Sequence, residues 1–522
     1  MRIRDVALKL SAWDGGAPTP RYETLHHSLV APDRAMIVAF VRMAGESRPW
    51  GIAWGTVGFK PTVESVPDGR VRDDVSALCA NFAEALLSHM RVHNWTYDPV
   101  GQAAAVDELR QVWLPNGQHL AMLHQLNYTF SQTRFGGVNQ DILQALGRLA
   151  GWMFRDCSRT GHQHVVDASR ALSNAFAFPA QDARTAHLGY QLAWLVTHGD
   201  RDDRIVAASA AEQLTISPTM DPSIERDHLA DLVERWQAGR REGAPPQDVE
   251  ALIRDVLVVE LDRRWHRTEQ AYTYLAKSKL PVNPGVDALV GQAHKEFWFQ
   301  HQRIELRQND PAQGPAFIAH PETDYHGSSA ASRYLIHASN DEGYDGHLVH
   351  HDPALFREAM ADGRALVATV TEVVNLGSGK ATVPVWVVDL RNEAPSRVRE
   401  SSRLVPYGSR GHEAVVTALR LIEGGVGVEL ELEWTTRKTM PLACGIAAKP
   451  IDHAWIGQEL AFVMADAADL TLRRSQRVWA AKDGPGAWLT HGKAPAPVQI
   501  VDDDGAADVL VDDVTQISES ST

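Results

Sequence analysis

The chain has 522 residues, of which 44% are hydrophobic and 22% charged. This length and composition predict an ordinary globular protein of roughly two to four domains, and exclude a collagen, a largely disordered chain and a disulfide scaffold. With 66 acidic and 51 basic residues the formal net charge is −15, which excludes a uniformly basic surface for wrapping duplex DNA.

The cysteines and the apolar stretches of the sequence indicate the cellular compartment of the protein. The three cysteines, Cys79, Cys157 and Cys444, lie far apart and form no C-x-x-C pair, which argues against a secreted disulfide framework and a cysteine-based zinc site. Residues 1–14 lack the apolar run of a signal peptide, and no stretch of about 18 apolar residues predicts a spanning helix. We therefore expect a cytoplasmic protein that makes no membrane contact.

Residues 1–70 predict a small β-rich unit packed on a helical region. The apolar run 36–42 has strand length, turn residues follow it, and residues 51–56 can return as a second strand. Residues 60–67 can add a third. A small antiparallel unit is the simplest arrangement.

Residues 71–240 predict a helical domain. Apolar residues recur at helical spacing from Val75 to Leu87, and similar patterns follow at 104–113, 117–132, 139–156, 162–176, 181–198, 202–213 and 222–238. A Gly- and Pro-rich break at 239–246 precedes a long helix at about 247–278 and another at 286–306, so 247–306 predicts a helical hairpin.

Residues 310–493 predict a β-rich barrel or sandwich domain. Asp352 and Pro353 begin a short helix, since Asp caps free amides and Pro suits the first helical position. Strands are predicted at 364–374, 382–390, 413–422, 426–434 and 458–464, and such a set is typical of a small barrel, with an OB-like arrangement among the options. A helix is predicted at 466–480.

Residues 494–522 carry seven acidic residues and no Lys or Arg, which predicts a solvated, disordered tail. The predicted fold class is therefore α+β, with a mainly helical central region, a small N-terminal β unit and a C-terminal barrel or sandwich.

The Gly-rich stretch 376–382 superficially resembles a phosphate-binding loop. That loop needs Gly six residues before the Lys and Ser or Thr directly after it, whereas Val374 and Ala381 stand at those positions. A strand follows instead of a helix, so we interpret the stretch as a hairpin turn.

Two histidine clusters are candidate divalent-metal sites. His347, His350 and His351 stand beside Asp352, and His162 and His164 lie near Asp167. Imidazole and carboxylate are ligands for zinc and similar ions, but the spacing is loose in both clusters and Asp352 has a competing role as a helix cap. We therefore expect no cofactor, with zinc or another divalent metal as the alternative.

Arginines and aromatic residues interleave in the C-terminal β region, as in some barrels that bind single-stranded nucleic acid. Glutamates on the same strands weaken this reading. The candidate residues are Trp386, Arg399, Arg403, Arg410, Arg420, Trp434, Arg437, Lys438, Arg473 and Arg474.

Motifs of serine nucleophiles, zinc proteases and dinucleotide-binding loops are absent, so no general acid, base or nucleophile stands out. The sequence favours a non-catalytic binding or scaffold subunit of a larger bacterial assembly, with other protein subunits as partners and single-stranded nucleic acid as a further one. The alternatives are a metal-dependent phosphohydrolase or nuclease that uses a His/Asp cluster, and an accessory subunit of a helicase.

Overall fold

The computed structural model describes most of the chain up to residue 465. The described residues are 3–90, 95–98, 103–106, 109–134, 137–157, 163–181, 184, 186–286, 348–379, 382–390, 396–408, 412–421, 427–441, 447–465, 500–501 and 507–508. The chain divides into two compact units, of which the first combines Met1–Pro321 with Tyr344–Ala465. Of the second unit, only the strand pair Ile500–Val501 and Ala507–Asp508 is described.

The longer helices of the first unit are α1 (Ile3–Gly15), α2 (Arg72–Met90), α3 (Gly117–Phe130), α4 (Gln140–Asp156), α5 (Ala168–Ala175), α6 (Leu188–Val196), α7 (Arg201–Glu212), α8 (Ala230–Arg241), α9 (Gln247–Lys277) and α10 (Pro353–Ala361). Short helical turns lie at Pro32–Arg34, Gly137–Asn139, Pro222–Ile224, Glu225–Leu229 and His453–Trp455.

The main strands are β1 (Ala35–Val41), β2 (Gly51–Thr56), β3 (Thr62–Ser65), β4 (Gln111–Leu114), β5 (Val165–Asp167), β6 (Ala365–Leu376), β7 (Val383–Leu390), β8 (Arg403–Pro406), β9 (Ala414–Leu421), β10 (Val428–Trp434) and β11 (Glu459–Ala465). Short strand pairs join Thr19–Pro20 to Phe176–Ala177, Trp95–Asp98 to Ala103–Val106, and Met440–Pro441 to Ala447–Ala448.

The first five strands form one mixed sheet in the order β3-β2-β1-β4-β5. The first three pair antiparallel, and β4 and β5 add parallel to β1. Every residue of β1 is buried, because helices cover both faces of the sheet. A strand buried on both faces is expected to be a continuous apolar run, as residues 35–41 are.

The two faces of this sheet belong to separate hydrophobic cores. Ile37, Ala39 and Trp113 pack with residues of α5, α6 and α9. Met36, Val38 and Phe40 point the other way and pack with residues of α2, α3 and α4. Because side chains alternate along a strand, this central run serves both cores at once, which gives a helix–sheet–helix sandwich.

The prediction of a helix at 104–113 was wrong, because its described residues include parts of two strands, and the prediction of a helix at 162–176 was wrong in part. Residues 111–114 and 165–167 form β4 and β5, and helix α5 begins only at Ala168. Segments of four and three residues are too short to show a period, so strand pairing decided their conformation: β4 pairs with β1, and β5 pairs with β4. The sheet therefore crosses the predicted boundary at residue 70.

The other helical predictions agree more closely with the structure. Helices α2, α3, α4, α7 and α9 begin and end within a few residues of the predicted positions. Helix α1 was not predicted. The second helix of the predicted hairpin, at 286–306, lies outside the described residues except at its first position.

The C-terminal strands close into a six-stranded barrel in the order β6-β7-β10-β9-β8-β11, and β11 returns to pair with β6. This confirms the α+β prediction with a C-terminal barrel. Strand β8 was missed because its four residues lie in a polar stretch. Strands β6 and β7 pair antiparallel up to Leu376 and Val383, in agreement with the predicted hairpin, and Gly377 and Gly379 have positive φ.

Aromatic side chains fill the barrel. Trp386 is fully buried, and its ring centroid lies 4.5 Å from that of Trp434 and 5.4 Å from that of Trp455. Its Nε1 donates to the Pro450 carbonyl at 2.7 Å. The barrel interior is a packed core rather than a ligand cavity.

In the part of the chain that the structure describes, no helix combines the length and apolarity needed to cross a membrane.

We expect Trp386→Ala to lower the free energy of unfolding by about 3–5 kcal/mol, because it leaves a cavity between two other tryptophans. Urea denaturation followed by circular dichroism measures the effect. The matched control is Phe59→Ala, at a residue 69% exposed, which should stay within about 0.5 kcal/mol of the unsubstituted protein. Equal effects would contradict a packed barrel.

Candidate functional site

The carboxyl ends of β1, β4 and β5 meet at one edge of the central sheet because these strands are parallel. The chain leaves β1 toward β2 on one side and later returns to β4 on the other, so the strand order reverses beside β1. Open α/β sheets bind ligands outside the carboxyl ends of their strands at such a reversal. This edge is the first candidate site.

The chain's own segment 215–220 occupies the edge beyond β1. The Arg42 N–H donates to the Pro218 carbonyl at 2.7 Å, and the Met220 N–H donates to the Arg42 carbonyl at 2.8 Å. The side chains of Ile216 and Met220 are 2% and 1% exposed and belong to the core that includes α9. The space where a ligand is expected therefore contains buried protein.

Four consecutive carbonyls of segment 215–220 accept hydrogen bonds from four different groups. The donors are Arg263 Nη2 to Thr215 (2.8 Å), His119 Nε2 to Ile216 (2.8 Å), Arg264 Nε to Ser217 (2.8 Å) and the Arg42 N–H to Pro218 (2.7 Å). These four carbonyls and the Met220 N–H anchor the segment along most of its length, which makes it a fixed part of the fold.

His119 connects the segment to the sheet. Its Nδ1 accepts from the Phe40 N–H at 3.1 Å, so the ring proton lies on Nε2, which donates to the Ile216 carbonyl. Burial lowers the pKa of His119 to about 3, against the raising effect of the bond to Ile216. The ring is neutral at physiological pH and has both nitrogens engaged, so it acts as a structural bridge.

A buried ion pair supports the segment from α9. Arg264 is fully buried and its Nη1 lies 2.7 Å from Oε2 of Glu260, which is 3% exposed. Burial lowers the pKa of Arg264, while the Glu260 carboxylate opposes that change. A buried guanidinium is tolerated only where its charge and donors have partners, and segment 215–220 supplies one of them.

Two polar side chains follow β4 and β5 at the same edge. Asn116 Oδ1 accepts from the N–H groups of Gln118 and His119, and Asp167 Oδ1 accepts from the Arg170 N–H at 3.0 Å. Burial raises the pKa of Asp167, and the hydrogen bonds from Arg170 and its neighbours oppose this. Both residues cap helices, and they satisfy amides that could otherwise bind an anion.

Asp352, from the predicted His/Asp cluster, is a fully buried carboxylate. Its Oδ2 accepts from the N–H groups of Glu23 and Thr24 at 3.1 Å each and from the Thr24 hydroxyl at 2.8 Å. Its Oδ1 accepts from the N–H groups of Ala354 and Leu355 and so caps α10. One carboxylate thus joins the N-terminal segment to the helix that leads into the barrel.

The surroundings of Asp352 favour its charged form. Burial alone would raise its pKa, but the His26 ring, 3.7 Å away, together with Thr24 and the α10 amides, lowers the pKa to about 2. Asn283 extends the hydrogen-bond network around Asp352, because its Nδ2 donates to the Thr24 hydroxyl and to the Leu348 carbonyl. We assign Asp352 a structural role.

Of the five predicted metal-ligating histidines, His347 and His162 lie outside the described residues. Burial lowers the pKa of both His350 and His164 to about 4, and each ring packs on an aromatic side chain, Tyr407 and Trp152 respectively. His351 is partly exposed beside His350. The described residues contain no group of three His, Cys, Asp or Glu side chains that could hold a metal ion. The metal site stays a prediction.

The outer wall of the barrel is rich in carboxylates. Strand register turns Leu430 and Leu432 into the core and leaves Glu429, Glu431 and Glu433 outside. The Arg420 guanidinium lies 3.7 Å from Glu429 and 3.5 Å from Glu431. This pairing on β9 and β10 leaves little positive charge for a phosphate backbone.

The seven candidate nucleic-acid residues that the structure describes do not form one exposed basic surface. Trp386 and Trp434 are core residues and offer no ring face for base stacking. Arg420 pairs as described, and Arg403 pairs with Glu413 at 3.0 Å. Arg399 and Lys438 are exposed and Arg437 is partly buried, while Arg410, Arg473 and Arg474 lie outside the described residues. Nucleic-acid contact stays a prediction.

A cleft of about 960 Å³ lies between α1 and α10. The three arginines that line it each have a carboxylate partner. The pairs are Arg4 with Glu358 at 2.9 Å, Arg21 with Asp5 at 2.6 Å, and Arg357 with Glu23 at 3.1 Å. These internal pairs attach α1 to its surroundings and leave no net charge for an ionic ligand.

The outer face of α1 is the surface that sequence reasoning missed. Val6, Leu10 and Trp13 are 38%, 56% and 41% exposed. Their spacing of four and three residues places them on one side of the helix. The same spacing of Val6, Leu10 and Trp13 is visible in the sequence.

No family model, curated protein or solved structure matches this chain.

We expect Arg264→Met to lower the free energy of unfolding by about 2–3 kcal/mol, because it removes the donors to the Ser217 carbonyl and the Glu260 carboxylate, which keeps only Arg263 as its ionic partner. It should also accelerate hydrogen exchange at the Met220 and Arg42 amides. Arg254→Met, in the same helix, removes only an exposed pair with Glu250 and should cost less than about 1 kcal/mol. If both variants lose equal stability, Arg264 does not hold the segment.

We also expect Asp352→Asn to destabilise the protein in a pH-dependent way. The pKa lies below its ordinary value of 3.8, at about 2, so the stabilisation is present above about pH 4 and is lost as pH falls toward 2. The variant should lose about 2 kcal/mol at pH 7, and the difference should shrink in acid, measured by urea denaturation at several pH values.

The control for Asp352 stands at the other end of α10. Asp362→Asn removes a half-exposed pair with Arg364 and should change stability by less than about 1 kcal/mol at every pH. A pH-independent loss in Asp352→Asn would contradict the assignment of the stabilisation to the ionised carboxylate.

Proposed function

We propose that this protein is a non-catalytic binding subunit of a larger protein assembly. The observation that carries the proposal is the position of segment 215–220, whose buried backbone fills the sheet edge at which an α/β protein ordinarily binds its substrate. Removing it would break hydrogen bonds at four carbonyls and expose Ile216 and Met220. A protein that binds partners elsewhere on its surface can have this sheet edge filled, whereas an enzyme with its active site there needs the edge open to substrate.

The polar groups near this edge support the same reading. His119 has both ring nitrogens engaged, and Asn116 and Asp167 cap helices. A general base needs a lone pair or carboxylate oxygen within reach of a substrate proton. These groups instead satisfy the protein's own amides and carbonyls.

The outer face of α1 supports a protein partner. On a surface helix the apolar stripe ordinarily faces the core, yet Val6, Leu10 and Trp13 face outward. Helices that present such a stripe commonly dock against another chain, and tryptophan is enriched at the centres of interfaces.

Isolation of the tagged protein from its native cells, followed by native mass spectrometry, tests the proposal. We expect a complex of fixed stoichiometry with at least one other chain. Leu10→Asp should abolish it, because a charge in the stripe cannot be buried without a partner. Leu252→Asp, at a residue 49% exposed on α9, is the matched control and should leave the complex intact.

A protein that is isolated alone, as a monomer, from cells in which it is expressed would contradict the proposal. So would a complex that persists in Leu10→Asp and disappears in Leu252→Asp.

A further inference from the structure

The stripe on α1 is presented by a firmly attached helix. Ala12, on the opposite side, is fully buried. Arg4 binds Glu358 of α10, and Asp5 binds Arg21, so both charged groups near the start of the helix hold it in place. Val6, Leu10 and Trp13 therefore form an ordered apolar ridge along about two turns.

Aspartates surround the Trp13 end of this ridge. Asp14 is exposed on α1, and the first turn of α7 adds the exposed carboxylates of Asp200, Asp202 and Asp203. The two elements are adjacent, because the Arg201 guanidinium lies over the Trp13 ring at 5.0 Å from its centroid. This end of the ridge therefore has four exposed aspartates on the two adjacent elements, which we call the acidic rim, and Asp202 is the one that pairs with Arg201.

The acidic rim is always present because two of its aspartates are needed to cap α7. Asp200 and Asp203 form the capping box of α7, and carboxylates are stabilised at a helix N-terminus. Asp202 lies in the same turn and pairs with Arg201 at 3.3 Å. The negative potential at this end of the ridge is therefore a fixed property of the fold.

We propose that the α1 ridge docks a basic amphipathic helix of a partner protein. The proposal rests on the binding function proposed above and specifies its partner. The partner's apolar side chains pack along Val6, Leu10 and Trp13, and Lys or Arg residues flanking its stripe face Asp14 and Asp202. We choose this partner over others because its positive charges complement the aspartates at the Trp13 end of the ridge.

Two other occupants fit the charge less well. A bacterial membrane presents anionic lipids, which four carboxylates repel. A second copy of the chain brings α1 with its own acidic rim and without a run of Lys or Arg along the stripe. Both become outcomes of the test.

Fluorescence anisotropy with two labelled peptides tests the proposal on the full-length protein. Both peptides are helical with the same leucine stripe, but one has Lys and Arg flanks and the other has Glu flanks. We expect the basic peptide to bind at least about tenfold more tightly, with an affinity that falls as salt is raised. Equal affinities, or no binding of the basic peptide, would overturn the proposal.

Variants separate the apolar and the charged contributions. Leu10→Asp should raise the dissociation constant of the basic peptide by about tenfold or more. The double variant Asp14→Asn and Asp202→Asn should raise that dissociation constant by about threefold and reduce its dependence on salt concentration. Leu252→Asp should leave the affinity unchanged, and circular dichroism confirms that each variant is folded. A ridge variant that binds as tightly as the unsubstituted protein would refute the site.

Two further measurements address the other occupants. Concentration-dependent dimerisation in sedimentation velocity that Leu10→Asp abolishes would overturn the proposal in favour of a second copy. Binding to vesicles of phosphatidylglycerol and phosphatidylcholine that Leu10→Asp abolishes would overturn it in favour of a membrane.

The proposed function and its partner chemistry can fail separately. If native complexes depend on Leu10 but the basic peptide does not bind, only the partner chemistry fails. If the protein has no native partner, the binding function itself fails, whatever the peptide does.

Discussion

The central strand is longer than its parallel neighbour, and much of the molecule follows from that difference. β1 spans 35–41, whereas β4 pairs with it only as far as Ile37. Beyond that point the buried amides on this side of β1 need other partners, since an unpaired buried amide is costly. His119 satisfies Phe40, and the carbonyl of Pro218 satisfies Arg42. Segment 215–220 completes the sheet and in doing so fills the edge where a ligand is otherwise expected.

This completion brings charge into the interior. Arg264 reaches the Ser217 carbonyl from α9, and its guanidinium is buried because the segment lies over it. Glu260 supplies the opposite charge within the same helix, one turn away. Such a pair adds little net stability compared with an apolar core, but it fixes one arrangement of α9 relative to the segment. The binding function proposed for this protein is consistent with a fold that uses its central polar groups for its own backbone.

A second group of buried polar side chains connects the N-terminal segment to α10, the helix before the barrel. Asp352 accepts hydrogen bonds from both sides, and Asn283 ties the same point to the end of the α9 region. Asp352, the carboxylate of the predicted His/Asp cluster, joins segments that are distant in sequence. The surface that we propose for partner binding, the α1 ridge, lies on the outside, where it depends on exposure and charge.

The sequence by itself determined the elements with long periods: helices such as α2 and α9, the buried run of β1 and most strands of the barrel, because periodicity and turn residues are local. It also predicted that Asp352 caps α10, a contact between neighbours in the chain. Only the tertiary structure decided that residues 111–114 and 165–167 are strands, since the first pairs with β1 and the second pairs with the first. It also decided that Trp386 is buried and Leu10 exposed, because burial depends on what packs over a residue, and sequence spacing carries no record of that.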